Sequence, residues 1–247
     1  MEVLNISTSG LFKSSLKFLQ ERMEAHAKNC CITTKLEITQ ERNQLFVSYD
    51  NSNSKVNAVL TDAIAEVVIT DCKYHYIESS LTLPIEDGIS RHAFIRALSN
   101  FDRATDKIIA KSLVKITPNF LLDSFYTFSL DALKKRWQEA CALANDNACF
   151  LVCDGTFREL LRFLISNLET RVPEVHLFQR AGEVEVLTRN LKPASVYVGD
   201  ELSGDAQVIS KLIDLAPKRI FLHQDVNTAM QDCICNLFGG CVQVVQN

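Results

Sequence analysis

Nine cysteines and five histidines stand in a chain of 247 residues, and placement decides what chemistry they can do. Cys149 and Cys153 are four apart, so on a continuous helix they would share a face. Cys233 and Cys235 are separated by one residue, and Cys241 follows six residues after Cys235. His176 and His223 fall in two segments that read as strands. A zinc site needs four convergent ligands, commonly paired at roughly two-to-four-residue separations. No clean pair of such pairs exists in this chain, and buried small hydrophobes account for the same cysteines. The residues left as metal or ligand candidates are His176, His223, Cys233 and Cys235.

Other chemistries find less support. A thiol nucleophile needs a histidine beside it or a helix N-terminus to lower its pKa. Cys153 precedes Asp154 at an expected helix start, but that carboxylate opposes thiolate formation and no partner histidine can be assigned. The stretch Asp200-Glu201-Leu202-Ser203-Gly204-Asp205 and the pair Gly239-Gly240 match neither a P-loop nor a dinucleotide-binding turn. Asp200, Glu201 and Asp205 would moreover repel an anion. Glu159 and Glu169 with Arg158, Arg162 and Arg171 read as a solvated, ion-paired helix face. No cofactor is expected, and no catalytic residue can be named.

Composition sets the class. The chain is 47% hydrophobic and 23% charged, with eight glycines and five prolines, as in an ordinary folded protein without long linkers. Its net charge is −4, and the tightest basic run is Lys134-Lys135-Arg136, so nucleic acid is not the favoured partner. Met1-Glu2-Val3-Leu4-Asn5 lacks the basic-then-apolar pattern of a secretory signal. The apolar stretches are broken by Asp62, Glu66 and Asp71 or by Arg158, Glu159 and Arg162, short of the ~20 apolar residues a membrane span requires. Reduced thiols, hence a cytoplasmic location, are the expectation.

The elements that would position these side chains can be read in order. Leu11, Phe12, Leu16, Leu19 and Met23 mark a helix over about 11–27, capped by Ser7, Thr8 or Ser9. Cys31–Thr39 and Gln44–Tyr49 form a half-buried hairpin across Gln40–Asn43, followed by a polar loop over Asp50–Ser54. Helical stripes then run through Val56–Val68 and Phe94–Leu113, with Pro84 and Gly88 between them. After the aromatic cluster Phe120, Phe125, Tyr126 and Phe128, Ser129 is placed to cap a helix carrying Leu133, Trp137 and Cys141. Another helix starts near Asp154 and Thr156. From Pro173 the pattern changes. Val175–Phe178 and Glu183–Thr188 flank Arg180-Ala181-Gly182 as a second hairpin, with a short strand at Ser195–Gly199. A helix over Gly204–Ala216, a strand over Arg219–His223, a helix over Val226–Phe238 and a strand over Cys241–Val245 complete the chain.

Several stretches resemble the YtxC family. They are Ser124-Phe125-Tyr126-Thr127-Phe128-Ser129-Leu130 with Leu133-Lys134-Lys135-Arg136-Trp137, and Phe157-Arg158-Glu159-Leu160-Leu161-Arg162-Phe163-Leu164 running into Thr170-Arg171-Val172-Pro173-Glu174-Val175-His176. Leu212-Ile213-Asp214-Leu215-Ala216-Pro217-Lys218-Arg219-Ile220-Phe221-Leu222-His223 is the third. The resemblance covers about residues 120–247. Upstream, only helical character and the early hairpin match. It implies a protein of endospore-forming bacteria linked to sporulation, and it brings no activity, cofactor or catalytic residue. The cysteine count is higher than the family pattern, so no family role attaches to the thiols.

The expected fold is α+β: an N-terminal helix and β-hairpin, a largely helical middle, and a small C-terminal ββαβαβ-like sheet with helices. The expected division is a mainly helical domain over 1–172 and a small α/β module over 173–247. The expected role is that of a sporulation-associated cytoplasmic protein with a protein partner. The rival is an enzyme or a metal- or ligand-binding protein with its site near His176 and His223.

Overall fold

The computed structural model describes residues 2–8, 10, 12–30, 32–38, 43–49, 54–82, 85, 87–146, 156–194 and 204–245. In chain order its elements are β1 (Glu2–Thr8), α1 (Lys13–Cys30), β2 (Thr33–Ile38), β3 (Asn43–Tyr49), α2 (Ser54–Val67), a π-helical turn (Val68–Cys72), α3 (Lys73–Ser80), α4 (Gly88–Asn100) and α5 (Arg103–Leu113). Then follow β4 (Asn119–Leu121), α6 (Leu122–Ser129), α7 (Asp131–Asp146), α8 (Thr156–Ser166), β5 (Val175–Arg180) and β6 (Glu183–Thr188). The last elements are α9 (Gly204–Leu215), β7 (Ile220–His223), α10 (Thr228–Phe238), a 3-10 turn (Gly239–Cys241) and β8 (Val242–Val245). The fold is α+β. The chain forms two compact units, Met1–Ser79 with Asp102–Glu139, and Ser80–Phe101 with Ala140–Asn247.

The first unit is built on a four-stranded sheet of order β2-β3-β1-β4. Strand β1 runs antiparallel to β3 and parallel to β4. The hairpin expected near the N-terminus is β2 and β3, paired from Thr33↔Ser48 to Ile38↔Asn43. Two features depart from the sequence reading. The fold opens on a strand rather than on the helix: Leu4 and Ile6 are fully buried and alternate with Asn5 and Ser7, a period of two too brief to stand out. Ser7 and Thr8 therefore belong to β1 instead of capping α1, and the Thr8 hydroxyl donates to Asp123 Oδ1 at 3.0 Å. Helix α1 packs on β1, β2 and β3, burying Leu16, Leu19 and Met23. Its apolar stripe supplies the hydrophobic drive that holds helix to sheet. Ser129 ends α6 rather than capping α7.

The second unit contains another four-stranded sheet, of order β6-β5-β7-β8. Strands β5 and β6 form an antiparallel hairpin closed by Ala181 and Gly182, at φ values of 50° and 87°. Two successive positive φ values are what a tight hairpin needs to match strand twist, and Gly182 adopts its value without a Cβ clash. Strands β5 and β7 are parallel, as are β7 and β8, so the ββαβαβ order is present with α9 and α10 as the crossover helices. Helix α9 packs on α4 and β6, and α10 packs on α8 and β8. The expected strand at Ser195–Gly199, the helix start at Asp154, Cys31, the loop over 50–53 and Pro84 lie outside the described residues.

Candidate functional site

In the C-terminal sheet, alternation sorts side chains by face. Val175 and Leu177 of β5 and Ile220 and Leu222 of β7 are fully buried. The intervening His176, Phe178, Phe221 and His223 are half-buried and lie on the other face. The parallel register sets His176 opposite Phe221, which leaves His223 one step diagonally onward. Backbone bonds from Val175 N to Arg219 O at 3.0 Å and from Lys218 N to Val172 O at 3.0 Å fix that register at the strand entry.

The two histidines meet. His176 Nδ1 and His223 Nε2 are 3.2 Å apart, within hydrogen-bond reach, one nitrogen donating according to tautomer. Each ring also lies against a phenylalanine. His223 stacks on Phe178 with centroids 3.7 Å apart, and His176 on Phe221 at 4.9 Å, both at 18° between planes. Arg180 and Arg219 extend the rows, their guanidinium carbons 5.7 Å from the Phe178 ring and 5.5 Å from the Phe221 ring. Glu174 accepts from Arg219 Nη2 at 2.6 Å and lies 3.4 Å from Arg189 Nε.

The turn that follows His223 is tied back to β5. Gln179 N donates to Asp225 Oδ2 at 2.9 Å, and Asn227 N donates to Gln179 Oε1 at 2.8 Å. Asn227 then caps α10 by accepting from Met230 N at 2.9 Å. The end of β7 carrying His223 is thus held against β5 from both sides of the turn. Burial, and then the neighbouring His223, push the His176 pKa below its ordinary value, with Glu174 opposing. The His223 Nδ1 atom is buried and has no hydrogen-bond partner among the described residues.

The other sequence candidates lie elsewhere. Cys233 and Cys235 are on α10, where Cys233 senses the charges of Asp205, Asp87 and Arg158. Among the described residues no group of three or more His, Cys, Asp and Glu side chains is placed to hold a metal ion, so these thiols do not complete a set with the histidines. Burial pushes the thiol pKa values of Cys233 and Cys241 up, and that of Cys72 well up, where Asp71 adds to the effect. These thiols are therefore protonated and poor nucleophiles. Cys149, Cys153 and the stretch Asp200–Ser203 lie outside the described residues. A cleft of about 310 Å³ is lined by Ile165, Leu212, Pro217, Lys218, Phe238 and Cys241, and neither histidine borders it.

The first unit holds a buried ion cluster that the sequence reading missed. Lys73, directly after the π-helical turn, sits 2.7 Å from Asp106 Oδ2, with both side chains 5% exposed or less. The same oxygen accepts from Trp137 Nε1 at 2.9 Å, and Asp106 Oδ1 is 3.2 Å from Arg136 Nε. Asp71, inside the turn, accepts from Ser15. No spacing rule connects residues 73, 106 and 137, which only the packing of three helices brings together. In the basic run, Lys134 lies 4.5 Å from the centroid of the Tyr126 ring and donates to Thr127 O at 3.1 Å. With Arg136 paired to Asp102 and Asp106, two of the three cations serve internal contacts.

No helix among the described residues is long and apolar enough to cross a membrane. No curated protein and no solved structure matches the chain. The YtxC-like family model matches residues 74–243, beginning well upstream of the words that carried the resemblance and containing both His176 and His223. That match spans more than half of the sequence, and the chain belongs to the YtxC-like family.

Proposed function

We propose that this chain is a sporulation-associated cytoplasmic accessory protein that acts by recognising a protein partner through the ring-bearing face of its C-terminal sheet. Family membership supports the sporulation context. The observation that carries the recognition role is the ordered face formed by His176, Phe178, Phe221 and His223, half-buried and flanked by Arg180 and Arg219. Aromatic and arginine side chains are the types enriched in protein interfaces, because a rigid ring contributes contact area at little entropic cost. Affinity purification from sporulating cells at near-native abundance provides the test. A specific partner should co-purify with the wild type and be lost with Phe178→Ala/Phe221→Ala. Recovery of no specific partner, or full retention by that variant, sinks the proposal.

A second reading has its own observation. The 3.2 Å approach of His176 to His223 supports reading the same face as a ligand-binding site with two imidazole nitrogens at its centre. Under this reading the small ligand, rather than a protein, is what the rings position.

A further inference from the structure

We propose that His176 Nδ1 and His223 Nε2 form a two-nitrogen site for a borderline divalent transition-metal ion, with its other coordination positions open. The proposal rests on the second reading above and makes its ligand specific. The geometry argues first. Two metal–imidazole bonds of about 2.0–2.1 Å meeting near the tetrahedral angle place their nitrogens about 3.3 Å apart. The observed separation is 3.2 Å. One ion can replace the shared hydrogen as the bridge once each ring swings in its own plane. Centroids 5.5 Å apart across a 3.2 Å contact set the two nitrogens head-on, and the tetrahedral angle turns each lone pair about 35° off that line.

The backbone that carries the rings is also held in place before any ion arrives. His223 is stacked on Phe178 and His176 on Phe221, and β5 and β7 are locked in register. Asp225 and Gln179 pin the turn after His223. With strands, turn and stacking partners already fixed, binding an ion has only the two ring rotations left to order. Imidazole donors suit Zn²⁺, Ni²⁺ and Cu²⁺, whereas Mg²⁺ and Ca²⁺ take oxygen ligands. Because no third His, Cys, Asp or Glu joins the pair among the described residues, solvent or a donor from a bound molecule fills the rest of the sphere. Glu174, the nearby carboxylate, is engaged by Arg219 and Arg189.

The test uses the full chain without an affinity tag, stripped of metal and titrated calorimetrically with CuCl₂ and, separately, ZnCl₂. One equivalent of Cu²⁺ should bind, with an electron paramagnetic resonance spectrum showing coupling to two nitrogens. His176→Gln and His223→Gln should each weaken binding at least tenfold, while Cys233→Ser/Cys235→Ser leaves it unchanged. Excess MgCl₂ should not compete. The far-UV circular dichroism of each variant checks that it folds. Absence of binding by the wild type, or equal binding by the double histidine variant, overturns the proposal. If the wild type binds neither metal but Phe178→Ala/Phe221→Ala still abolishes partner capture, the metal site fails and the recognition surface stands. If one equivalent binds through two nitrogens while partner capture is unaffected by that aromatic variant, the metal site stands and the partner role of this face fails.

Discussion

Asp106 is the residue on which the buried charge of the first unit turns. It accepts from Lys73, Trp137 and Arg136 in a site where it is 2% exposed. Removing one partner of a buried ion pair strands the other charge away from water, at a cost of about 3–5 kcal/mol. Asp106→Ala should lower urea-measured stability by that order. Lys73→Met/Asp106→Asn should recover much of it, since neither charge is then buried. Glu66 gives the pH-dependent counterpart. Burial works to raise its pKa, but Arg103 and Lys107 outweigh burial and hold the carboxyl below its ordinary value. A depressed folded-state pKa means that the unfolded chain binds the proton more readily. The resulting stabilisation is present above the ordinary glutamate pKa and is lost as pH falls through the folded-state value. Chemical denaturation across that acidic window should show a shallower pH slope for Glu66→Gln than for the wild type.

The hairpin of β5 and β6 shows what an element demands of its turn. Ala181 occupies φ 50°, a left-handed conformation that costs an L-residue with a plain Cβ roughly 1–2 kcal/mol. Asparagine visits that region readily, and Asn-Gly is the preferred pair for this turn. Ala181→Asn should therefore raise stability by up to about 1 kcal/mol, read as a shift in thermal midpoint with the fold unchanged. A loss of stability would mean that the turn is not held in the left-handed region. The hairpin was legible because its strands alternate and Gly182 marks the turn. Strand β1 was not, because a run with two buried aliphatics, Leu4 and Ile6, competes poorly with the strong helical stripe that follows.

At the scale of the molecule, the compact units do not follow the order of the sequence. Helix α4, at residues 88–100, belongs with the C-terminal sheet and packs along α9. Arg96 of α4 lies 3.7 Å from Asp214 of α9, both nearly fully buried, and Asn100 donates to Asp214 Oδ1 at 2.6 Å. Arg171 binds the same corner through Asn100 Oδ1 and Asp214 O, each at 2.6 Å. A fragment of residues 173–247 would carry the whole sheet but lack both α4 and Arg171. It should expose the face of α9 bearing Ile209, Leu212 and Ile213 and should melt without a cooperative transition, whereas the full chain melts cooperatively. A sharp transition for the fragment would show that the sheet and its two crossover helices suffice.

The sequence by itself determined what depends on local period and chain neighbours: the α+β class, the β2–β3 hairpin and the ββαβαβ order after Pro173. It also put His176 and Phe178, and Phe221 and His223, on one side of their respective strands, since side chains two apart share a face. What it could not determine was which strands become neighbours and in what register. That choice rests on packing α9 and α10 over the buried face, a sum of many long-range contacts with no local trace. Tertiary structure alone decided that β5 lies beside β7, and so brought two histidines 47 residues apart to 3.2 Å. It alone placed Lys73, Asp106 and Trp137 in one buried cluster, and left Cys233 and Cys235 on a helix that, among the described residues, completes no metal set with the histidines.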